Sequence, residues 1–215
     1  MSVRTRVHLV RHGEVFNPDG ILYGRLPGFG LSERGREQAA RAAAHLARAD
    51  VAVLLASPMQ RAQETAVPLA ASHGLEVLTE ERLIEAGNAF EGQRFGVGDG
   101  ALRRPENWPL LRNPFRPSWG EPYLEIAHRM LGAAHRARTL AAGREAVCVS
   151  HQLPVWTLRR FVGGQRLWHN PRHRECSLGS VTTLVFEDES VVDVAYAEPA
   201  VAEPGSTPGP VDAGA

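Results

Sequence analysis

Lysine is missing altogether: all 24 basic residues of this 215-residue chain are arginine. That excludes Schiff-base chemistry on a lysine amine and the lysine-dependent Walker phosphate loop. Cysteine is nearly as scarce, with Cys148 and Cys176 alone. Two such residues build neither a disulfide framework nor a CxxC metal knuckle, and Cys148 sits in an apolar run that reads as core. No stretch of about 18 apolar residues occurs, so no membrane partner is expected. Charge of either sign is not in excess, with 24 basic and 24 acidic residues. That balance gives no global pull toward nucleic acid or anionic lipid. A charged leader followed by an apolar run is also lacking at the N-terminus, and a cytoplasmic location is the expectation.

What is present is a chain of 43% hydrophobic residues, ordinary for one globular domain with a sizeable core. Short apolar runs alternate with helical patterns. Val51–Leu55, Leu75–Leu78 and Ala146–Val149 read as strands. A helix is expected from an N-cap at Ser32 to about Ala49, and a second from Met59 to His73 behind Ser57 as N-cap and Pro58 at N1. Two more run from Tyr123 to Ala142 and from Pro154 to Phe161. The runs 180–186 and 191–196 flank a short polar turn and predict an antiparallel hairpin. Alternation of this kind predicts an α/β fold, a single three-layer αβα domain with a mostly parallel central sheet and an antiparallel edge strand. The domain is expected to span residues 1–197. Residues 95–122, irregular and rich in proline, tryptophan and arginine (Arg103, Arg104, Arg112, Arg116), are expected to form a lid or substrate loop. Residues 198–215, rich in Pro, Gly and Ala, are expected to be a disordered tail.

Chemistry concentrates where strands end. The apolar run of Val7 to Val10 stops at Arg11, His12 and Gly13. In parallel sheets ligands bind beyond the carboxyl ends of the strands, and glycine allows a sharp turn and close approach there. The plain alternative is a strand that merely ends in polar residues. Two further strands make the sharper reading: one delivers Ser57 with Arg61, the other Ser150 with His151. Two guanidiniums offer forked donors matched to phosphate oxygens. A neutral imidazole among them can attack phosphorus, and phosphoryl transfer needs little besides positioning and charge stabilisation. The leaving alkoxide needs a proton, for which Glu85 is the candidate acid and Glu91 the fallback, expected to be structural.

At this point the chain resembles the histidine phosphatase superfamily, the phosphoglycerate mutase-like family. The resemblance rests on LVRHGE at Leu9–Glu14, LSERG at Leu31–Gly35, SPMQRAQETA at Ser57–Ala66, RLIE at Arg82–Glu85 near FEG, and VSH ending at His151. It implies His12 as the phosphorylated nucleophile, Arg11 and Arg61 as phosphate clamps, His151 as the second pocket histidine and Glu85 as proton donor. The sequence departs from the family pattern at Val15, where a Thr or Ser is usual, and at Asn17, which comes one residue early. The segment from Glu85 to Gly92 is also one residue short. Substrate contacts are expected from Asn17, Tyr23, Gly24, Arg25 and Gln152.

The implied activity is a phosphatase acting on a small-molecule phosphate ester, with no cofactor and no metal. The rivals are a phosphoglycerate mutase and a non-catalytic phosphate-recognising domain. The arginine-rich loop points to an acidic or aromatic ester. Plainer roles are expected elsewhere: His8 as a packed sheet residue, Arg129 on a helix surface unless it salt-bridges near the pocket, and residues 168–176 as ordinary structure despite zinc-like spacing.

Overall fold

The computed structural model describes residues 2–94 and 120–200. Six strands form one sheet: β1 (Arg4–Arg11), β2 (Val51–Ala56), β3 (Val77–Thr79), β4 (Glu145–Ser150), β5 (Val181–Glu187) and β6 (Ser190–Ala197). Their order is β3-β2-β4-β1-β5-β6. β1 through β4 pair in parallel, whereas β5 runs antiparallel to both β1 and β6. The expected loop 95–122 lies outside the described residues except for 120–122, and so does the tail beyond residue 200.

Side-chain alternation along β1 explains the layers. Val7 and Leu9 face a core shared with α3 (Tyr123–Ala141) and α4 (Gln152–Val162). Val10 faces the opposite core, built with α1 (Glu33–Leu46) and α2 (Gln60–His73). From Val7 onward both faces of β1 are therefore buried, as a central strand requires. On α3 the buried stripe is largely alanine, with Ala127, Ala133, Ala134, Ala137 and Ala141, which lets that helix lie close to the sheet. Among the described residues no helix is long and apolar enough to cross a membrane.

Four boundaries differ from expectation. α1 stops at Leu46, three residues early. β3 is displaced to Val77–Thr79. α4 starts at Gln152 rather than Pro154; a proline in the first turn is tolerated because its missing N–H would have no helical partner there. The fourth correction concerns Ser57. It does not cap α2, whose N-cap is Met59 with no side-chain bond. A tertiary partner claims its hydroxyl instead: Ser57 Oγ lies 2.8 Å from His151 Nε2.

The register sets the site. Arg11 stands opposite Ser150 in the β1–β4 ladder, so both strands leave the sheet at the same level. The ladder continues one step further through the His12 N–H, which donates to the Ser150 carbonyl at 3.0 Å. From β2, the Ser57 N–H donates to the Val149 carbonyl at 2.9 Å. His12, Ser57 and His151 thus emerge side by side at one edge of the sheet.

Candidate active site

The loop after β1 is held by backbone contact. A Cβ on Gly13 would lie 2.3 Å from the Gly35 carbonyl oxygen, so the start of α1 touches the turn directly. The Gly13 N–H donates to Thr65 Oγ1 at 3.1 Å, and Thr65 in turn donates to the Arg61 carbonyl at 2.7 Å. The turn that presents His12 is therefore tied to the helix that presents Arg61.

His12 is wholly buried. Its Nδ1 lies 2.7 Å from the Gly13 carbonyl oxygen. A carbonyl only accepts, so Nδ1 carries the ring proton and Nε2 keeps its lone pair. Nε2 has no hydrogen-bond partner among the described residues. Burial, then the Arg61 and Arg11 charges, hold the ring well below the usual imidazole range. The His151 ring stands at 5.1 Å from it, edge to face, and is also pushed well down, by burial first and then by Arg61.

Each of the two arginines is anchored to a backbone carbonyl. Arg11 Nη1 donates to the Cys176 carbonyl at 2.9 Å, and Arg61 Nη2 to the Gly24 carbonyl at 2.7 Å. Arg61 Nε and Nη1 are buried without a partner among the described residues. The Arg61 guanidinium also lies 4.7 Å over the Tyr23 ring.

Glu85 closes the cluster, with Oε2 at 3.8 Å from His151 Nδ1. Burial raises its carboxyl above the ordinary range against the opposing pull of Arg61 and Arg11. Its segment is pinned carbonyl by carbonyl. Arg129 Nη1 donates to the Arg82 and Ile84 carbonyls, both at 2.7 Å. Ser150 Oγ donates to the Leu83 carbonyl and Arg25 Nε to the Glu85 carbonyl, again at 2.7 Å. Arg129, expected on a helix surface, is thus a staple for the acid-bearing segment. A titratable group held this rigidly in a dry pocket has the marks of catalytic chemistry.

The whole arrangement matches one family model. Residues 7–198 fit the histidine phosphatase superfamily, branch 1. The chain belongs to that superfamily. An uncharacterized protein of Mycobacterium tuberculosis, Rv0525, is 60% identical over 200 residues, covering 93% of this chain and 99% of that one. Phosphoserine phosphatase 1 of Hydrogenobacter thermophilus is 32% identical over 68% of this chain and 71% of its own. A mycobacterial glucosyl-3-phosphoglycerate phosphatase structure superposes with a TM-score of 0.71 at 23% identity, over 90% of this chain and 97% of that chain. That last likeness is one of fold.

Within this superfamily member, the five residues Arg11, His12, Arg61, Glu85 and His151 come together. The five expected substrate contacts are placed less uniformly. Gly24 lines the cavity beside Glu85. Tyr23 is fully buried beneath Arg61, and Arg25 bonds Glu85 and Glu121. Gln152 bonds Cys176 and Arg174. Asn17 turns both ends of its amide to the Ile21 backbone. Glu91 accepts from the Asn88 N–H at 3.2 Å and fills the space a Cβ on Gly24 would need.

Sequence reasoning passed over Thr65, Glu121, Tyr123 and Arg174. Their partners Gly13, Arg25 and Gln152 lie far along the chain from them, and only the arginine count hinted at surplus cations. Among the described residues no group of three or more His, Cys, Asp and Glu is placed to hold a metal. His169, in the zinc-like stretch, has Nδ1 against the Leu167 carbonyl and Nε2 taken by Arg174.

Proposed function

We propose that this chain is a phosphomonoesterase that hydrolyses a small phosphate ester through a phosphohistidine at His12. The observation that carries the reading is the bonding of the His12 ring, which commits the proton to Nδ1 and leaves the buried Nε2 lone pair unpartnered among the described residues, in a ring that feels the Arg61 and Arg11 charges. Nε2 attacks phosphorus in line, and the N–P bond forms as the ester P–O bond breaks. Glu85, whose carboxyl burial shifts toward the protonated form, gives its proton to the leaving alkoxide. Water then attacks the phosphohistidine while the Glu85 carboxylate takes a proton from it. The N–P bond breaks, phosphate departs, and both side chains return to their starting states.

Arg11 and Arg61 hold the phosphoryl oxygens and offset the charge that spreads over them in the transition state. Ser57 Oγ accepts from the Met59 N–H at 3.4 Å, which leaves its own proton for His151 Nε2. His151 Nδ1 then carries an N–H toward the phosphoryl group. Gly24 contacts the substrate along the cavity wall; Tyr23, Arg25 and Gln152 act by holding Arg61, Glu85 and Arg174, and Asn17 braces the turn that leads to them. No cofactor takes part.

Phosphoserine phosphatase 1, 32% identical over 68% of this chain, supports hydrolysis, although phosphoglycerate mutases also stand among the similar proteins. The test is release of inorganic phosphate from p-nitrophenyl phosphate in excess EDTA with no bisphosphate primer. Steady turnover under those conditions is expected. Turnover that requires a primer would make the chain a mutase, and none with or without one would leave a binding domain.

A further inference from the structure

Past Glu85 the pocket opens into a cavity of about 120 Å³, lined by Glu85, Asn88, Glu121, Tyr123 and Arg174 among others. A proton donor faces the oxygen it protonates, so in the proposed reaction this cavity receives the alcohol part of the ester. Arg174 is built into its wall from behind. Its Nε donates to His169 Nε2 at 2.9 Å and its Nη1 to Gln152 Oε1 at 3.2 Å. His169 serves as acceptor because its Nδ1, 2.7 Å from the Leu167 carbonyl, holds the proton. Burial brings that imidazole down to about 4, so it stays neutral beside the guanidinium.

This leaves Arg174 Nη2 without a hydrogen-bond partner among the described residues. Among the described residues no carboxylate on the cavity wall forms an ion pair with it; Glu85 and Tyr123 act on it only at longer range. Glu121 is already bound by Arg129 at 2.7 Å and by Arg25 at 2.8 Å. Glu85 is shifted by burial toward its neutral form. Tyr123, stacked obliquely at 5.6 Å against the same His169 ring, brings a phenol into the same wall. Burial raises its phenol above the ordinary range, and the Arg174 charge pulls the other way.

We propose that Arg174, with Tyr123, forms a second anion subsite that reads a carboxylate on the leaving group, which makes the substrate class small phosphate esters of hydroxy acids. The inference rests on the proposed function for placing the phosphoryl end at His12. A guanidinium edge matches the two oxygens of a carboxylate in one plane. A single cation also suits a single negative charge; a second phosphate would bring nearly two, with Glu121 and Glu85 close by.

The test compares 3-phosphoglycerate with glycerol 3-phosphate, which differ by a carboxylate in place of a hydroxymethyl group. Affinities are measured by calorimetry on His12→Ala protein, where no turnover intervenes. The carboxylate ester is expected to bind roughly tenfold or more tightly. Arg174→Gln in the same background should bring the ratio close to one, and Tyr123→Phe should reduce it by a few-fold. Arg174→Lys, which keeps the charge and loses the fork, should retain part of it and covers the case of a poorly folded glutamine variant. Equal affinities, binding of neither ester, or a preference that survives Arg174→Gln would overturn the subsite. The binding ratio is independent of whether the wild type hydrolyses p-nitrophenyl phosphate, so loss of the catalytic reading and loss of this one give different results.

Discussion

Gly13 and Gly35 meet backbone to backbone. A Cβ on Gly13 would stand 2.3 Å from the Gly35 carbonyl oxygen, and one on Gly35 would stand 2.0 Å from the Glu14 carbonyl oxygen. Neither neighbour is a flexible side chain that could swing aside. Gly35→Ala is therefore expected to push α1 off the His12 turn, destabilising the fold by about 1–3 kcal/mol. Urea denaturation of the variant checks the magnitude; a midpoint equal to that of wild type would show that the contact is not as tight as described.

The carbonyls of residues 82–85 all accept from side chains, two of them from Arg129 alone. Arg129→Met leaves the Arg82 and Ile84 carbonyls and Glu121 without that cation, at a cost of about 1–3 kcal/mol. Because Arg129 acts by positioning, the sharper readout is the pH profile of kcat. Its descending limb, assigned to Glu85, is expected to move, whereas a purely structural role would lower kcat at every pH alike.

Glu85→Gln removes the proposed proton donor but keeps its size. The leaving group then decides the damage, since an alkoxide needs the proton far more than p-nitrophenolate does. A loss of roughly 10²–10⁴ is expected for an alkyl phosphate, and a much smaller one for p-nitrophenyl phosphate. Equal losses on the two substrates would move the proton-donor role elsewhere.

Stability should depend on pH in two separate windows. His12 and His151 stay neutral in the fold well below their ordinary value of 6.5, while the unfolded chain takes up protons there. Their contribution is complete above pH 6.5 and is lost as pH falls toward the depressed values. Glu80, held down at about 2 first by Arg82 and also by Arg136, loses its contribution only as pH drops below 4.5. Glu85 has the opposite sign: its raised value favours the fold below 4.5, and that advantage goes as pH rises through the folded value. Thermal midpoints measured from pH 8 to pH 5 are expected to fall below about 6.5. The decline should be shallower in His12→Asn; an identical slope would mean that His12 is not held neutral.

Much of this is legible in the sequence because it is local. The apolar run into Arg11 and His12 is a buried strand with its chemistry at the carboxyl end, and period-2 alternation plus register does the rest. The helices of α1, α2 and α3 follow from their small apolar stripes. What could not be read depends on contacts between distant residues. Ser57 has the sequence of a cap, yet His151, far along the chain, takes its hydroxyl. Arg129 occupies a helical position that looks polar from the sequence, but that face of α3 meets the Glu85 segment. Arg174 lies in a stretch whose histidines and cysteine suggested metal spacing, and its meaning comes from the cavity it lines. Asn17 shows the reverse: a side chain expected at the substrate is bonded to its own turn.

The central claim is that His12 Nε2 becomes covalently phosphorylated. Rapid acid-free quenching of wild type and His12→Ala during hydrolysis of a labelled phosphate ester, followed by peptide mapping, tests it directly. The account predicts an acid-labile, base-stable phosphoryl group on His12 of the wild type, and neither label nor turnover in the variant. Steady hydrolysis with no label on His12, or turnover that persists in His12→Ala, would contradict it.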